Sequence, residues 1–274
     1  MISAHAFEGE LNNLSPDVPW THHFEVSGVP TISEKVNEKF FKKAKGLKEL
    51  GEICVQLANN FSAGNTISGK RVLDIACGEG GHSVQFAQAG ASEVIGIEGR
   101  SLYVERANMI ARALELDNMS VQLGDVRAMK PDAIGQFDIT VCFGILHHLG
   151  QEDFEGFIQS LGDLTTDMLL LYTHVSSDKV AEDFKLKGPV KTESGYKGHL
   201  FREHKDGATE EEKIAQVRAS LDNTFSFWAN NESLIKALKN VGFSHVLKVY
   251  EPHMFGSIEN KNFRQIIIAR KIAS

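Results

Sequence analysis

The stretch Arg71-Val72-Leu73-Asp74-Ile75-Ala76-Cys77-Gly78-Glu79-Gly80-Gly81 constrains this chain more than any other. A short, β-branched apolar strand runs into a glycine turn, and a helical pattern follows from Gly81 to Gln88. Gly78 and Gly80 let the backbone bend tightly and approach a ligand closely, with helix-terminal amides just beyond. The spacing is not that of a dinucleotide-binding turn, because the position three residues after Gly80 is Ser83 rather than glycine. Asp74, on the strand before the turn, would oppose a phosphate. It suits a cationic ligand or the ammonium group of an amino acid.

The same strand–turn–helix rhythm continues. Further strands are predicted at Glu93–Glu98, Ser120–Leu123, Phe137–Phe143, Met168–Thr173, His245–Tyr250 and Arg264–Arg270. Helices are predicted at Leu102–Leu116, Phe154–Leu164 and Asn231–Val241, the last closed by Gly242. Alternation with short connections implies right-handed crossovers and an α/β, doubly wound, mostly parallel seven-stranded sheet, with the last two strands forming an antiparallel hairpin at its edge. Near-continuous apolar strands fit burial on both faces. Before the sheet, Val36, Phe40, Leu47, Leu50, Ile53, Cys54, Leu57 and Phe61 recur near helical spacing, read as two helices with a break near Gly46. The alternation lapses over the polar residues 176–226, apart from a charged helical run from Thr209 to Leu221. The expected organisation is an N-terminal helical lid region at 1–66, a Rossmann-like ligand-binding domain at 67–175 and 227–274, and a cap insertion at 176–226.

With these residues in view, the chain resembles the class I S-adenosylmethionine (SAM)-dependent methyltransferases. The pattern Asp74-x-Ala76-x-Gly78-x-Gly80 matches the family's acidic residue and alternating glycines, with Ala76 in place of the first glycine. Glu98-Gly99 ends the second strand, where the family carboxylate accepts both ribose hydroxyls. Asp125 follows the third strand, where the resemblance implies a contact to the adenine amino group, with the Val126 amide on the ring. Phe143-Gly144-Ile145-Leu146-His147-His148-Leu149 resembles the segment that passes under the methyl group. The resemblance covers roughly 70–175 and 227–274 and implies SAM as the cofactor. Four signals in order at successive strand ends are far more specific than one glycine turn.

Methyl transfer to a hydroxyl needs a base, and His147, His148 and His174 are the candidates. His147 and His148 are consecutive, so at most one faces the methyl group; the other reading for each is a hydrogen-bonded core histidine. For the acceptor, Tyr196, His199 and Arg202 stand in the glycine-framed stretch 193–203, which reads as a substrate-enclosing loop or as a solvated one. Trp228 either walls the pocket or packs the core. Trp20, His22, His23 and Phe24 could close over the cofactor or dock as a surface segment. No HxH, HExxH or Cys/His spacing appears, so no metal is expected, although His147, His174 and His199 could converge.

The 274 residues carry a net charge of −7, which leans against a nucleic-acid partner. The cluster Lys35, Lys39, Lys42, Lys43, Lys45 and Lys48 reads as the solvated face of a helix. Three cysteines with no CxxC pair fit a reducing, cytoplasmic setting. Neither a signal peptide nor a membrane-spanning helix is expected. The reading is a methyltransferase, monomeric or homodimeric, acting on an oxygen, nitrogen or sulfur of a small-molecule acceptor, with oxygen preferred. Its alternatives are a tRNA wobble-uridine modification enzyme and a SAM-binding partner protein without catalysis.

Overall fold

Buried apolar strands and amphipathic helices form where the periodicity places them. The computed structural model describes residues 2–14, 18–33, 38–216, 219–250 and 263–272, without the side chains of residues 39 and 40. The chain divides into two units, residues 1–128 with 137–140, and residues 129–136 with 141–274.

The first unit opens with α1 (Ala4–Asn13), capped by Ser3, and a two-stranded ribbon, β1 (Glu25–Val26) and β2 (Val29–Pro30). Next comes α2 (Glu38–Phe61), one continuous helix, so the break expected near Gly46 does not occur. An isolated helical glycine costs only about 1 kcal/mol against alanine. Here Ala44, Leu50, Cys54 and Ala58 bury one stripe through it, and Lys42–Glu38 and Lys48–Glu52 pairs flank it. Gly51 is the glycine that matters, because a Cβ there would lie 1.7 Å from Oε1 of Gln85 and 2.8 Å from the ring of His82. Its absence lets α2 pack closely on α3. Lys35 lies outside the described residues.

Then follow β3 (Arg71–Ile75), α3 (Gly81–Gln88), β4 (Glu93–Glu98), α4 (Ser101–Ala113) and β5 (Met119–Leu123). β3 pairs with β4, and β4 with β5, in parallel register.

In the second unit, α5 (Pro131–Ile134) precedes β6 (Phe137–Phe143), whose first four residues belong to the first unit. α6 (Phe154–Leu164) and β7 (Thr165–His174) complete the crossover. After α7 (Asp178–Phe184), the polar stretch contains structure that its composition concealed. β8 (Lys187–Lys191) and β9 (Lys197–Arg202) pair antiparallel, so residues 197–202, expected within a loop, form a strand. α8 (Glu210–Ala215) starts with a Thr209/Glu212 capping box and is shorter than the run to Leu221 expected. β10 (Phe225–Ala229) joins β9, giving a three-stranded sheet in the order β10-β9-β8. Gly198 permits this, since a Cβ there would sit 2.4 Å from the carbonyl oxygen of Trp228. α9 (Asn231–Asn240), β11 (His245–Val249) and β12 (Arg264–Arg270) end the described chain.

The main sheet has seven strands in the order β11-β12-β7-β6-β3-β4-β5, with β12 antiparallel to both β7 and β11. This is the mostly parallel Rossmann-like sheet expected. Cys54, Cys77 and Cys142 are buried and free. Among the described residues no helix is long and apolar enough to cross a membrane.

Candidate functional site

The chemistry-bearing residues fall into two groups, one in each unit. In the first unit they gather where β3 enters the glycine turn. Asp74 is buried at the strand end and accepts a 2.6 Å hydrogen bond from Oγ of Ser83, in the first turn of α3. Burial pushes its carboxyl up to about 6, against the lowering effect of Ser83 and His22. Ala76 has φ +55°, a conformation that glycine adopts freely and alanine does not. Gly78 (φ +57°) and Gly80 (φ +79°) continue the turn. A Cβ on Gly80 would meet Cε of Met119 at 2.8 Å, so that glycine also serves close packing.

Glu98, buried at the end of β4, accepts the amide of Gly78 on one oxygen and that of Arg100 on the other, both at 2.9 Å. It thereby ties the second strand to the turn, and each oxygen keeps a lone pair for a hydroxyl. Gly99 beside it is exposed. Asp125 is gripped by Arg127 through Nε, Nη2 and the backbone amide, and those hydrogen bonds hold its carboxyl below the usual range. Val126 is buried at the start of a short 3-10 turn.

Two buried charges that the sequence did not single out organise this unit. Arg106 and Glu79 are both fully buried, 2.8 Å apart. Glu79 also accepts the amides of Thr21 and His22, each at 2.8 Å, and the Thr21 hydroxyl at 3.0 Å. Burial pushes the Glu79 carboxyl up, but hydrogen bonds from His22 and Thr21 outweigh it and leave it below its ordinary value. Arg106 donates to the carbonyls of Leu14, Val18 and Pro19 and lies 4.5 Å from the ring centre of Trp20. One ion pair thus pins residues 18–22 against the turn. The signal in the sequence was a carboxylate between two glycines, where a buried cation has to answer it.

These residues fit a cofactor with an amino-acid tail and a cationic centre. Asp74 is a buried carboxyl short of positive charge. The hydroxyl of Tyr103 is buried with no hydrogen-bond partner among the described residues, within electrostatic reach of Glu79 and Glu98.

In the second unit, the 3-10 turn Leu146–His148 is held by β10. The indole Nε1 of Trp228 donates to the carbonyl of His147 (3.0 Å), and the side chain of Asn223 donates to that of His148 (2.8 Å). The two histidine rings lie 4.4 Å apart, centre to centre, tilted by 40°, and take different partners. His147 is buried and stacks on His174 with ring centres 3.8 Å apart. Its Nδ1 lies 3.4 Å from both the Thr173 hydroxyl and the His174 amide. Burial, then the neighbouring histidines and Arg264, push His147 well below its ordinary value, and burial takes His174 to about 3. His148 instead presents Nδ1 to Oε1 of Glu203 at 2.8 Å, with its own side chain about one-fifth exposed. Glu203 is buried and is held in turn by the Ser226 hydroxyl (2.6 Å) and the Ser220 amide (3.3 Å). Nε2 of His148 has no hydrogen-bond partner among the described residues. Sequence reasoning missed Glu203 because the contact spans 55 residues.

The expected acceptor residues do not gather in one place. Trp228 is buried among Phe201, Phe263 and His174, and in register with His199, which is also buried. Tyr196 packs on Phe154 and accepts from Asn240. Arg202 pairs with Asp206 and covers the ring of Phe225. Phe143 lies against Tyr172. Among the described residues no group of three His, Cys, Asp or Glu side chains could hold a metal ion.

Residues 72–167 match the family model described as a methyltransferase domain. The chain is 32% identical over 118 residues to a ubiquinone biosynthesis O-methyltransferase of Stutzerimonas stutzeri (strain A1501), covering 42% of this chain and 49% of that protein. It is 33% identical over 134 residues to a tRNA U34 carboxymethyltransferase of Alcanivorax borkumensis, covering 48% and 36%. The chain thus spans half or less of the length of these curated relatives. Among solved structures, the N-terminal domain of EvdMO1 with S-adenosylhomocysteine (SAH) bound superposes with a TM-score of 0.71 at 17% identity, over 99% of this chain and 98% of that one. Magnesium protoporphyrin IX methyltransferase of Synechocystis PCC 6803 with SAH bound gives 0.56 at 16% identity, over 86% and 88%. The sheet order and these neighbours show a Rossmann-like methyltransferase fold, and the methyltransferase-domain match lies within residues 72–167.

Proposed function

We propose that this protein is a SAM-dependent methyltransferase acting on a hydroxyl of a small-molecule acceptor, with His148 as general base. Asp74, Ala76, Gly78, Gly80, Glu98, Gly99, Asp125 and Val126 hold the cofactor. Bound there, SAM supplies an electrophilic methyl group on a positively charged sulfur. Asp74 balances the cationic charge and Glu98 accepts hydrogen bonds from the ribose hydroxyls, while the glycine backbone takes close approach without a side chain in the way.

The observation that carries the choice of oxygen is the 2.8 Å bond between His148 and Glu203. A buried carboxylate on Nδ1 fixes the tautomer with its lone pair on Nε2 and stabilises the imidazolium that forms on proton transfer. His147 and His174 are poor bases by comparison, since burial keeps both neutral far below neutral pH. The name of the O-methyltransferase relative agrees with this choice. The test is SAH formation on incubating the protein and SAM with small phenols, carboxylates, amines and thioethers. Turnover confined to hydroxyl acceptors supports the reading, and turnover only with thioethers or amines overturns it.

The match to a tRNA U34 carboxymethyltransferase favours a second reading, RNA modification. It requires tRNA binding that weakens steeply with salt. The net charge of −7, and the pairing of Lys42 and Lys48 with glutamates, favour the small molecule.

A further inference from the structure

The N-terminal segment Val18–Phe24 contributes a cofactor-binding side chain, and the structure identifies it: we infer that His22 binds the carboxylate of the cofactor's amino-acid tail through Nε2. The inference rests on the SAM site proposed above and adds to it a residue outside the Rossmann-like domain.

Three observations carry it. First, the His22 ring lies against the glycine turn. A Cβ on Gly81 would sit 2.3 Å from Cδ2 and 3.0 Å from Nε2 of His22, and one on Gly78 would sit 3.1 Å from Cε1. The ring therefore occupies the space that the missing side chains vacate, at the N-terminus of α3, where a carboxylate is favoured.

Second, the polar atoms of the ring are divided between two tasks. Nδ1 faces Oε2 of Glu79 at 3.4 Å and Oγ1 of Thr21 at 3.3 Å. The Thr21 hydroxyl already donates to Glu79, so Nδ1 is the donor in both contacts. Nε2, on the edge against Gly81, is the polar atom left to the turn. A carboxylate brought there would be bridged to Glu79 through the ring if Nε2 takes up a proton from solvent on binding, each anion then accepting one N–H.

Third, the arrangement does not depend on the ring to hold the segment down. Glu79 accepts the backbone amides of Thr21 and His22 and is itself paired with the buried Arg106. Removing the imidazole leaves these bonds in place, so a His22 variant tests the ring and not the docking of the segment.

The experiment is calorimetric titration of the full chain and its His22→Gln and His22→Ala variants. The probes are SAH, decarboxylated SAM and methylthioadenosine, which has neither the carboxylate nor the ammonium. Loss of one charge-assisted hydrogen bond should weaken SAH binding by about tenfold in either variant. Decarboxylated SAM and methylthioadenosine should bind wild type and variants alike. Equal weakening of all three probes would show that the ring only shapes the turn, and unchanged SAH affinity would show that it touches nothing; either overturns the assignment. Absence of SAH binding to the wild-type chain overturns the cofactor site itself, a failure distinct from that of His22. An unchanged thermal midpoint in both variants confirms that the segment remains docked.

Discussion

The carboxylate of Glu203 stands 2.8 Å from Nδ1 of His148, across 55 residues of chain, and is itself buried and held by Ser226 and Ser220. If His148 takes the acceptor's proton, His148→Asn should lower kcat by about 10² to 10⁴ at neutral pH. Glu203→Gln keeps a hydrogen-bonding group but loses the charge, so it should lower kcat less than His148→Asn and leave SAM affinity unchanged. Single-turnover rates with SAM in excess measure this. Full activity of His148→Asn would remove it from the reaction.

His174 gives the matching control. Burial takes it to about 3. His174→Gln should therefore leave the acidic limb of the pH–rate profile where it is, whatever it does to stability. A shifted limb would make the protonation of His174 part of what controls the rate.

Asp74 couples stability to function. Its carboxyl sits at about 6 when folded, above the ordinary 3.8, so the folded chain holds this proton more tightly than the unfolded one. The stability that follows is complete below pH 3.8 and is lost as pH rises through 6. Asp74→Asn should then raise unfolding free energy at pH 7.5 by about 1–3 kcal/mol while weakening SAM binding. The same titration predicts that wild-type SAM affinity falls about tenfold between pH 7.5 and pH 5, as the carboxylate is protonated. Urea unfolding and calorimetry at two pH values check both halves.

Ala76 keeps a left-handed backbone, φ +55°, that costs an alanine about 1–2 kcal/mol. Ala76→Gly removes that strain but gives the unfolded chain more freedom, worth about 0.4–1 kcal/mol. A net gain of up to about 1 kcal/mol is expected by denaturant unfolding. A clear loss would mean that the Ala76 methyl group packs usefully.

The Glu79–Arg106 pair is buried on both sides. Arg106→Met strands the carboxylate without its partner and should cost about 3–5 kcal/mol. A cost under about 1 kcal/mol would mean that Glu79 takes up a proton or water instead.

Much of the fold was legible because its signals are local. All seven strands of the main sheet announced themselves as short apolar runs bounded by turns, and the glycine pattern after β3 marked the turn into α3. What was not legible depends on partners distant in the chain. The polar strands β8 and β9 read as loop because their pairing with β10 is set by Gly198 lying against Trp228, not by their own hydrophobicity. Gly46 looked like a helix break because its neighbourhood was judged without the buried stripe that runs through it. Glu203 and Arg106 had no sequence signal of their own, since each gains its meaning from a contact with a residue far along the chain.

The most direct test of the central claim is calorimetric titration of the chain with SAM, SAH and, separately, NAD. Micromolar binding of the two sulfur compounds, with no heat from NAD, is the result this account predicts. Binding of NAD in their place, or of none of the three, would contradict the assignment of the glycine turn, Asp74 and Glu98 to a SAM site.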